Sequence, residues 1–302
     1  MKRKVIQLAK KTLVISLPTR WAKKYNIKKG DEIEAEEIKN KLIISPEKEL
    51  TKEGISIDVS GLSPMIYRIL GAIYKAGYDE VEVHYESEKD LEEIEEVTKR
   101  EFIGFEIVKK GKKSLVIKSV SEINYEEFDN VLRRTFLIIM EIGEESFEAM
   151  KNVDKKALLK LIELDKEVNK YADFCRRILN KKGYASFIKT QTVYFIVEEL
   201  EKISDSYRDL CKASIEINKK ISKDIEAVFK EVNAFFREFY ELYYKFDLNK
   251  LAEHGKKRNV LLKDLMDLMK KTSKEELLFL FLLSLIVEEI FNMNGALIAS
   301  KI

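Results

Sequence analysis

The sequence predicts a multidomain α+β protein with a β-rich N-terminal segment, a small α/β middle domain and a C-terminal all-α bundle. The chain has 302 residues, enough for two or three domains. All three prolines lie within the first 64 residues. After about residue 121 there is no proline, and apolar residues recur with the period of an α-helix. Residues 1–30 hold ten Lys and Arg and no acidic residue.

The charge is divided unevenly along the chain. The net charge is +2 in total, so the residues after Gly30 carry −8 against the +10 of the first thirty. A basic segment attached to an acidic body indicates a polyanionic partner for that segment alone.

The N-terminal domain is predicted to span residues 1–50. We expect strands at Val5–Gln7 and Thr12–Leu17, a short helix at Arg20–Tyr25, and a hairpin of Asp31–Ile38 and Lys41–Ser45 around Lys39 and Asn40. About 50 residues of such structure bury little surface alone. We therefore expect this domain to pair with a second copy of itself.

The middle domain is predicted to span residues 54–120. Its expected elements are a strand at 55–59, a helix at 64–76, a strand at 80–85, a helix at 88–101 and two strands on either side of 109–113. Gly77 suits the left-handed conformation that ends a helix. Gly111 lies among four lysines, but the Walker spacing and the following helix are missing, so a hairpin turn is favoured over a phosphate-binding loop.

The helical domain is predicted to span residues 122–302. Six helices are expected near 124–151, 155–181, 186–219, 223–245, 248–270 and 274–301, joined by short turns. The sequence from Ser273 to Glu276 has the form of a capping box for the last helix. An internal repeat is indicated because Val197–Leu200 recurs as Val287–Ile290, 90 residues later.

The first domain resembles a known family of DNA-binding proteins. The pattern that carries the resemblance covers about residues 3–46 and consists of Leu13, Ile15, Leu17, Pro18, Trp21, Ile27, Lys29-Gly30-Asp31, Ile33 and Leu42-Ile43-Ile44. It is similar to the AbrB/SpoVT/MazE family. The resemblance implies one half of a swapped-hairpin β-barrel that two chains complete, with double-stranded DNA as the usual partner or, in antitoxins, a toxin protein.

The cations of this domain are the candidate DNA-binding residues: Lys2, Arg3, Lys4, Lys10, Lys11, Arg20, Lys23 and Lys24. Lysine contacts phosphate as a point charge, whereas arginine can also form paired hydrogen bonds with guanine. A set rich in lysine predicts salt-sensitive binding with modest base discrimination. Trp21 and Ile27 are predicted to belong to the barrel core.

The helical domain contains carboxylates at helical spacing. Glu201 and Asp205 share one helix face, Glu198 lies on a similar side, and Asp165 and Asn169 are expected on an adjacent helix. Together these residues could offer hard oxygen ligands to a metal ion. Alternatively they are salt-bridged, since Lys202 and Arg208 are close enough to neutralise them.

The same stretches resemble the PhoU family. Glu201-Lys-Ile-Ser-Asp205 is similar to its E-R-I-x-D motif, and Asp165-Lys-Glu-Val-Asn169 to its D-x-x-x-D motif with Asn in the last position. Arg133-Arg134 and Met140 also fit, and the resemblance covers about 125–302. It implies a six-helix bundle of two three-helix repeats, a divalent or iron-type metal in the first repeat, and a link to phosphate transport.

The second repeat departs from this pattern. At an offset of 90 residues, Glu201 corresponds to Phe291 and Asp205 to Gly295. Asp247 is the one counterpart expected for Asp165. Any metal site is therefore predicted in the first repeat alone.

The remaining chemistry of the sequence is sparse. Cys175 and Cys211 are expected to be reduced thiols, and His84 and His254 surface residues. We find no catalytic constellation and predict no enzyme activity. The apolar run 277–287 is too short to span a bilayer, and no signal peptide is visible, so a cytoplasmic location is expected.

The two resemblances together are typical of archaeal fusions that act as phosphate uptake regulators. They suggest a homodimeric DNA-binding transcriptional regulator whose helical domain senses phosphate status through a metal, a transporter or a sensor protein. One alternative is a PhoU-like protein-interaction regulator of a transporter or kinase whose basic domain only dimerises. A second alternative is an antitoxin-like binder of a partner protein.

Overall fold

The structure is a computed structural model, and it describes residues 2–8, 11–38, 41–46, 54–120, 125–184 and 187–302. The chain divides into two compact units, Met1–Gly54 and Ile55–Ile302. We call the first unit the head and the second unit the body.

The head consists of two antiparallel strand pairs and one short helix. Its elements are β1 (Ile6–Leu8), β2 (Thr12–Val14), α1 (Thr19–Lys24), β3 (Ile33–Ile38) and β4 (Lys41–Pro46). β1 pairs with β2, and β3 pairs with β4. The turn predicted at Lys39 and Asn40 lies outside the described residues. In one chain the four strands form two separate sheets, so the barrel completed by a second chain stays a prediction.

The second strand is shorter than predicted, since it ends at Val14 instead of Leu17. Val14 lies opposite Ile6, the first residue of β1. In this antiparallel register residues 15–17 would face residues 3–5, which are not part of β1. A strand without a neighbour has no ladder hydrogen bonds, and the chain turns at Pro18 into α1.

The α/β part of the body has the predicted element order βαβαββ. It contains β5 (Gly54–Asp58), α2 (Ile66–Ala76), β6 (Glu80–His84), α3 (Glu88–Glu101), β7 (Phe105–Lys110) and β8 (Ser114–Ser119). The sheet order is β5-β6-β8-β7, and β8 is antiparallel to both of its neighbours. Gly77 ends α2 at φ +98°. Gly111 donates its N–H to the Ser114 carbonyl at 2.7 Å, which confirms the hairpin turn.

The rest of the body is helical and confirms the predicted order of six helices. These are α4 (Tyr125–Asn152), α5 (Lys155–Lys182), α6 (Phe187–Ile217), α7 (Lys223–Tyr244), α8 (Leu248–Met269) and α9 (Lys274–Lys301). Helices α4, α5 and α6 pack against one another, as do α7, α8 and α9, and the two sets meet mainly through α6 and α9. Ser273 caps α9 by accepting from the Glu276 N–H. The Glu276 carboxylate accepts from the Ser222 N–H instead of completing the capping box.

Arg177 joins the α/β part to the helices. Its guanidinium is buried between α5 and α2, where Nη1 donates to the Tyr74 carbonyl at 2.8 Å. It lies 5.0 Å from the Tyr74 ring centroid and 4.6 Å from that of Phe105. Asp79, which immediately precedes β6, pairs with both Arg177 and Lys181. These contacts fix the sheet against α5, so the two parts share one continuous core.

Candidate nucleic-acid interface and carboxylate clusters

Seven of the eight predicted DNA-binding cations are described, and we call them the basic set: Lys2, Arg3, Lys4, Lys11, Arg20, Lys23 and Lys24. Three precede β1, one lies between β1 and β2, and three lie on α1. All seven are exposed. Lys10, the eighth predicted residue, lies outside the described residues.

Aromatic side chains of α1 and of its C-terminal cap contact one another. The Trp21 and Tyr25 rings lie 5.5 Å apart, and Lys24 Nζ lies 5.2 Å from the Tyr25 ring centroid. Trp21 and Ile27 are half-buried within one chain, so their assignment to a barrel core stays a prediction.

Most of the basic set is not neutralised within the chain. Lys2, Arg3, Lys4, Lys11, Arg20 and Lys23 form no ion pair with any carboxylate whose position the structure describes. Exposed cations without an internal partner retain their charge for an external anion. The geometry therefore suits contacts with phosphate groups, for which charge and exposure are the main requirements.

The head also exposes apolar side chains. Val5, Ile6, Leu8, Leu13, Ile15 and Leu42 are between 45% and 69% exposed. The described side chains of the head include none that is buried, whereas the core of the body begins at Val59. An exposed apolar surface of this kind is typical of sites that bind another molecule.

Arg176 lies at the centre of the first carboxylate cluster, which α5 and α6 form together. It is only 2% exposed and donates from Nη1 to Asp173 Oδ1 at 2.7 Å. Nε lies 2.6 Å from Glu198 Oε1, an ion pair without the alignment of a hydrogen bond, and Nη1 also pairs with Glu201. Burial alone would lower the pKa of Arg176, but the three carboxylates outweigh burial and raise it.

Arg208 lies at the centre of a second carboxylate cluster. Its Nη1 lies 3.2 Å from Asp165 Oδ2 and also pairs with Asp205, while Nε contacts Asp209. Asp165 is buried and accepts a 2.6 Å hydrogen bond from Ser204 Oγ. Burial raises the pKa of Asp205, and Arg208 opposes this shift.

Four of the five predicted metal ligands are thus divided between two arginines. Glu198 and Glu201 pair with Arg176, Asp165 and Asp205 pair with Arg208, and the buried Asn169 Oδ1 has no hydrogen-bond partner among the described residues. Within the described ranges no group of three or more His, Cys, Asp or Glu side chains is arranged to hold a metal ion. The four carboxylates do not fit a metal, because guanidinium groups already pair with them.

Besides these two clusters, a pair of carboxylates lies between α6 and α9. Glu199 is buried and pairs with Lys202 Nζ at 2.5 Å, while Glu289 accepts from Ser206 Oγ at 3.1 Å. Burial raises the pKa of Glu289 to about 7, Ser206 opposes that shift, and the charge of Glu199 adds to it. Lys202 was predicted to neutralise the first cluster, but it pairs with Glu199 instead.

Sequence reasoning missed Arg176 and Arg177 and misplaced His254. The signal for the arginines was available, since two charged residues interrupt an apolar helical stretch between Phe174 and Leu179. His254 was predicted at the surface but is 2% exposed. It stacks on the Phe235 ring at 3.8 Å and hydrogen-bonds the Phe235 carbonyl, because its helix packs against α7. Cys175 and Cys211 are buried free thiols.

Comparison with known families assigns the head. The MazE antitoxin family, described as "Antidote-toxin recognition MazE, bacterial antitoxin", matches residues 6–52. The chain carries a MazE-type domain at its N-terminus. The basic set from Lys11 to Lys24 lies within the matched part of this MazE-type domain, and Lys2, Arg3 and Lys4 precede it.

Two solved structures are similar to the chain. One is the phosphate transport system regulatory protein PhoU from Streptococcus pneumoniae, with 15% identity over 57% of this chain and 92% of that one, at a TM-score of 0.48. The other is PhoU from Pseudomonas aeruginosa, with 16% identity over 57% of this chain and 94% of that one, at a TM-score of 0.48. None of the curated proteins matches the chain significantly.

The helices were also assessed for membrane insertion. In the part of the chain that the structure describes, none of them combines the length and the apolar character that a bilayer-spanning segment requires.

Proposed function

We propose that the protein is a DNA-binding transcriptional regulator that couples phosphate status to gene expression or to phosphate transport. The observation that carries the proposal is the basic set of the head: exposed cations, six of them without a described carboxylate partner, in a MazE-type domain. A surface that keeps its positive charge attracts the phosphate backbone of a duplex.

Dimerisation is part of this proposal. A second copy would cover the exposed aliphatic side chains of the head and would double the number of cations that face one duplex. Because affinity for DNA falls with salt in proportion to the number of phosphates neutralised, doubling the cations makes binding both tighter and more salt-dependent.

The phosphate part of the proposal is supported by the sequence motifs of the body. Glu201–Asp205 and Asp165–Asn169 resemble the PhoU motifs, and the structure places both on neighbouring helices, α6 and α5. Transporter or sensor proteins are the proposed partners of the body. The absence of an enzyme activity and the archaeal source stay predictions.

The direct test is DNA binding by the full chain. Fluorescence anisotropy of a labelled duplex from the upstream region of its own gene measures the affinity at about 50 to 300 mM KCl. We expect a steep loss of affinity with salt. The variant Lys10→Glu/Lys11→Glu/Lys23→Glu should lose most of its affinity for the duplex, and the remaining affinity should depend only weakly on the salt concentration.

A matched control carries the same change of charge in the body. Lys109, Lys112 and Lys113 are exposed around the β7–β8 turn, and Lys109→Glu/Lys112→Glu/Lys113→Glu should bind DNA like the unmodified protein. If the head variant retains binding, or if the control loses it equally, the assignment of the interface to the basic set is wrong.

The description of the matched family favours a second candidate, an antitoxin-like head that binds a protein. A partner of this kind would bind the exposed apolar side chains of the head in place of, or beside, DNA. A third candidate is a head that only dimerises while the body docks on a transporter or kinase. Sedimentation of an intact dimer that shows no affinity for any duplex at low salt would favour these two candidates over the first.

A further inference from the structure

The first carboxylate cluster is arranged like a cation-binding site, and the Arg176 guanidinium is its cation. Three acidic side chains from two helices converge on one buried guanidinium: Asp173 at 2.7 Å, Glu198 at 2.6 Å and Glu201 in direct contact. Lys75 adds a second cation, with Nζ 3.1 Å from Asp173 Oδ1. A side chain of the protein therefore occupies the point at which a metal ion would collect these ligands.

The second half of the helical region repeats this contact. Arg258 on α8 pairs with Glu288 on α9, with Nη2 2.5 Å from Oε1. Glu288 follows Glu198 by 90 residues, the offset of the internal repeat, and Arg258 follows Arg176 by 82 residues. Both arginines thus reach from the second helix of their set to the same position on the third.

The two arginines differ in their remaining partners, and this difference serves as an internal comparison. At the position of Glu201 the repeat has Phe291, and Arg258 lies 4.9 Å from the centroid of that ring. Arg176 has a third partner in Asp173, whereas the residue 82 positions later is Gly255. The guanidinium is therefore common to both halves, while the number of carboxylates around it falls from three to one.

We propose that in this protein an internal arginine takes the place of the metal ion in both halves of the helical region. Arg176 neutralises the three carboxylates of the first half, and Arg258 pairs with the single carboxylate of the second. The body then reaches its folded form without a metal. A covalently attached guanidinium is present at the full concentration of the protein, and a metal could enter only by displacing it from a buried position.

The proposal predicts that removal of one side chain creates a metal site. In Arg176→Ala, three carboxylates lose their shared cation and surround a space that hard divalent cations favour. In Arg258→Ala only Glu288 is released, and Phe291 cannot ligate. Arg258→Ala is therefore the matched control, with the same deletion in the same kind of contact.

The experiment measures Mn²⁺ binding to the full chain by electron paramagnetic resonance and calorimetry, after metal analysis of the protein as purified. We expect no stoichiometric metal in the unmodified protein or in Arg258→Ala. Arg176→Ala should bind one Mn²⁺ per chain at least 100-fold more tightly than the unmodified protein. The variant Arg176→Ala/Glu198→Gln/Glu201→Gln should lose this site again.

Two further measurements keep the proposal falsifiable. Where Arg176→Ala does not fold, Arg176→Gln keeps a side chain of similar length without the charge, and the same gain of Mn²⁺ is expected. One metal per chain in the unmodified protein, lost in Glu198→Gln/Glu201→Gln, would overturn the proposal, and so would folded Arg176 variants that gain no site. Neither outcome depends on DNA binding by the head, so failure of the proposed function would be seen separately.

Discussion

The cations of the head and the arginines of the body have the same charge but opposite surroundings. Six cations of the basic set are exposed and have no described carboxylate partner, whereas Arg176 and Arg177 are at most 2% exposed and have carboxylate, carbonyl or ring partners. A buried charge is tolerated only when it is paired, while an exposed charge is free to bind another molecule. The comparison teaches that charge alone does not mark a functional surface in this protein, and that burial and pairing separate the structural arginines of the body from the cations proposed to bind DNA.

The largest effect on this comparison should come from Arg177→Ala. The change removes a buried cation that holds α2 and the sheet against α5. It also removes one of the two described donors to the Tyr74 carbonyl, the other being the Gly77 N–H. We expect the free energy of unfolding of the body to fall by about 3 kcal/mol. Chemical denaturation followed by circular dichroism at the helical wavelength measures this change.

The control is Arg134→Ala, which deletes an exposed arginine on α4. Its effect should stay within about 0.5 kcal/mol. Trp21 is the single tryptophan of the chain and lies in the head, so its fluorescence reports the head separately. A loss of less than about 1 kcal/mol in Arg177→Ala would contradict the structural role of this arginine.

A large part of the fold could be predicted from the sequence because the signals that define it are local. Gly77 ends α2, Gly111 makes a hairpin turn and Ser273 caps α9, and in each case one residue type fixes the backbone over a few positions. Helices α4 to α8 follow from a 3.6-residue period that their apolar residues keep over more than twenty residues each. Helix α9 is apolar on most sides and follows from its long apolar run behind the capping Ser273.

The cluster partners could not be predicted in the same way. Arg176 meets Glu198 because α5 and α6 pack side by side at one register, and a 22-residue separation in sequence does not encode that register. His254 was placed at the surface because an isolated histidine carries no periodic signal of burial. Which carboxylate pairs with which arginine depends on tertiary packing. The basic set of the head, by contrast, was visible in the sequence as ten Lys and Arg without an acid over residues 1–30, and six of its seven cations have no described carboxylate partner.

Leu13→Glu concerns the head and should have the second largest effect, which is a weaker dimer. Leu13 is 69% exposed in one chain. If a second copy covers this side chain, a charge there removes apolar burial worth about 1 kcal/mol per chain, or about 2 kcal/mol per dimer, and adds a desolvation cost. The dimer dissociation constant should rise by at least about 30-fold, as measured by sedimentation equilibrium.

Leu159→Glu is the control for this prediction. Leu159 lies on α5 and is 50% exposed, so it is a comparable aliphatic side chain of the body. We expect the variant to leave the dimer unchanged. Equal dissociation of both variants would show that the head is not the site of self-association, and no dissociation in Leu13→Glu would show that this strand face is not covered.

A smaller effect is expected from pH, and it concerns the carboxylates of the body. Burial raises the pKa of Glu289 to about 7 in the folded state, Ser206 and Lys202 oppose the shift, and Glu199 and Asp205 add to it. The folded state therefore binds a proton that the unfolded state releases above about pH 4.5. The stabilisation is present below that pH and is lost as pH rises through about 7.

The size of this loss should be roughly 1–2 kcal/mol, because partial solvent exposure of Glu289 reduces the effect of the shift. Denaturation of the unmodified protein at several pH values over ~3 pH units, from about pH 5 to 8, measures this loss. Glu289→Gln should remove most of the dependence of the free energy of unfolding on pH. The Trp21 signal of the head should not follow the same pH dependence. If Glu289→Gln keeps the same pH dependence of the free energy of unfolding, another titrating group causes it.

The smallest effect separates two glycines that have nearly the same backbone conformation. Gly30 in the head has φ +95°, and Gly77 in the body has φ +98°, so alanine strains the backbone equally at both positions, by about 1 kcal/mol. At Gly77 an added Cβ meets Lys181 Cβ at 3.3 Å, whereas at Gly30 no atom of the described residues, apart from its chain neighbours, lies within 4 Å of that position. Gly77→Ala should therefore lower the free energy of unfolding of the body by about 1 kcal/mol more than Gly30→Ala lowers that of the head. Equal losses would mean that α5 yields at Lys181 without cost, and that the α/β part is held less firmly against the helices than the contacts of Arg177 indicate.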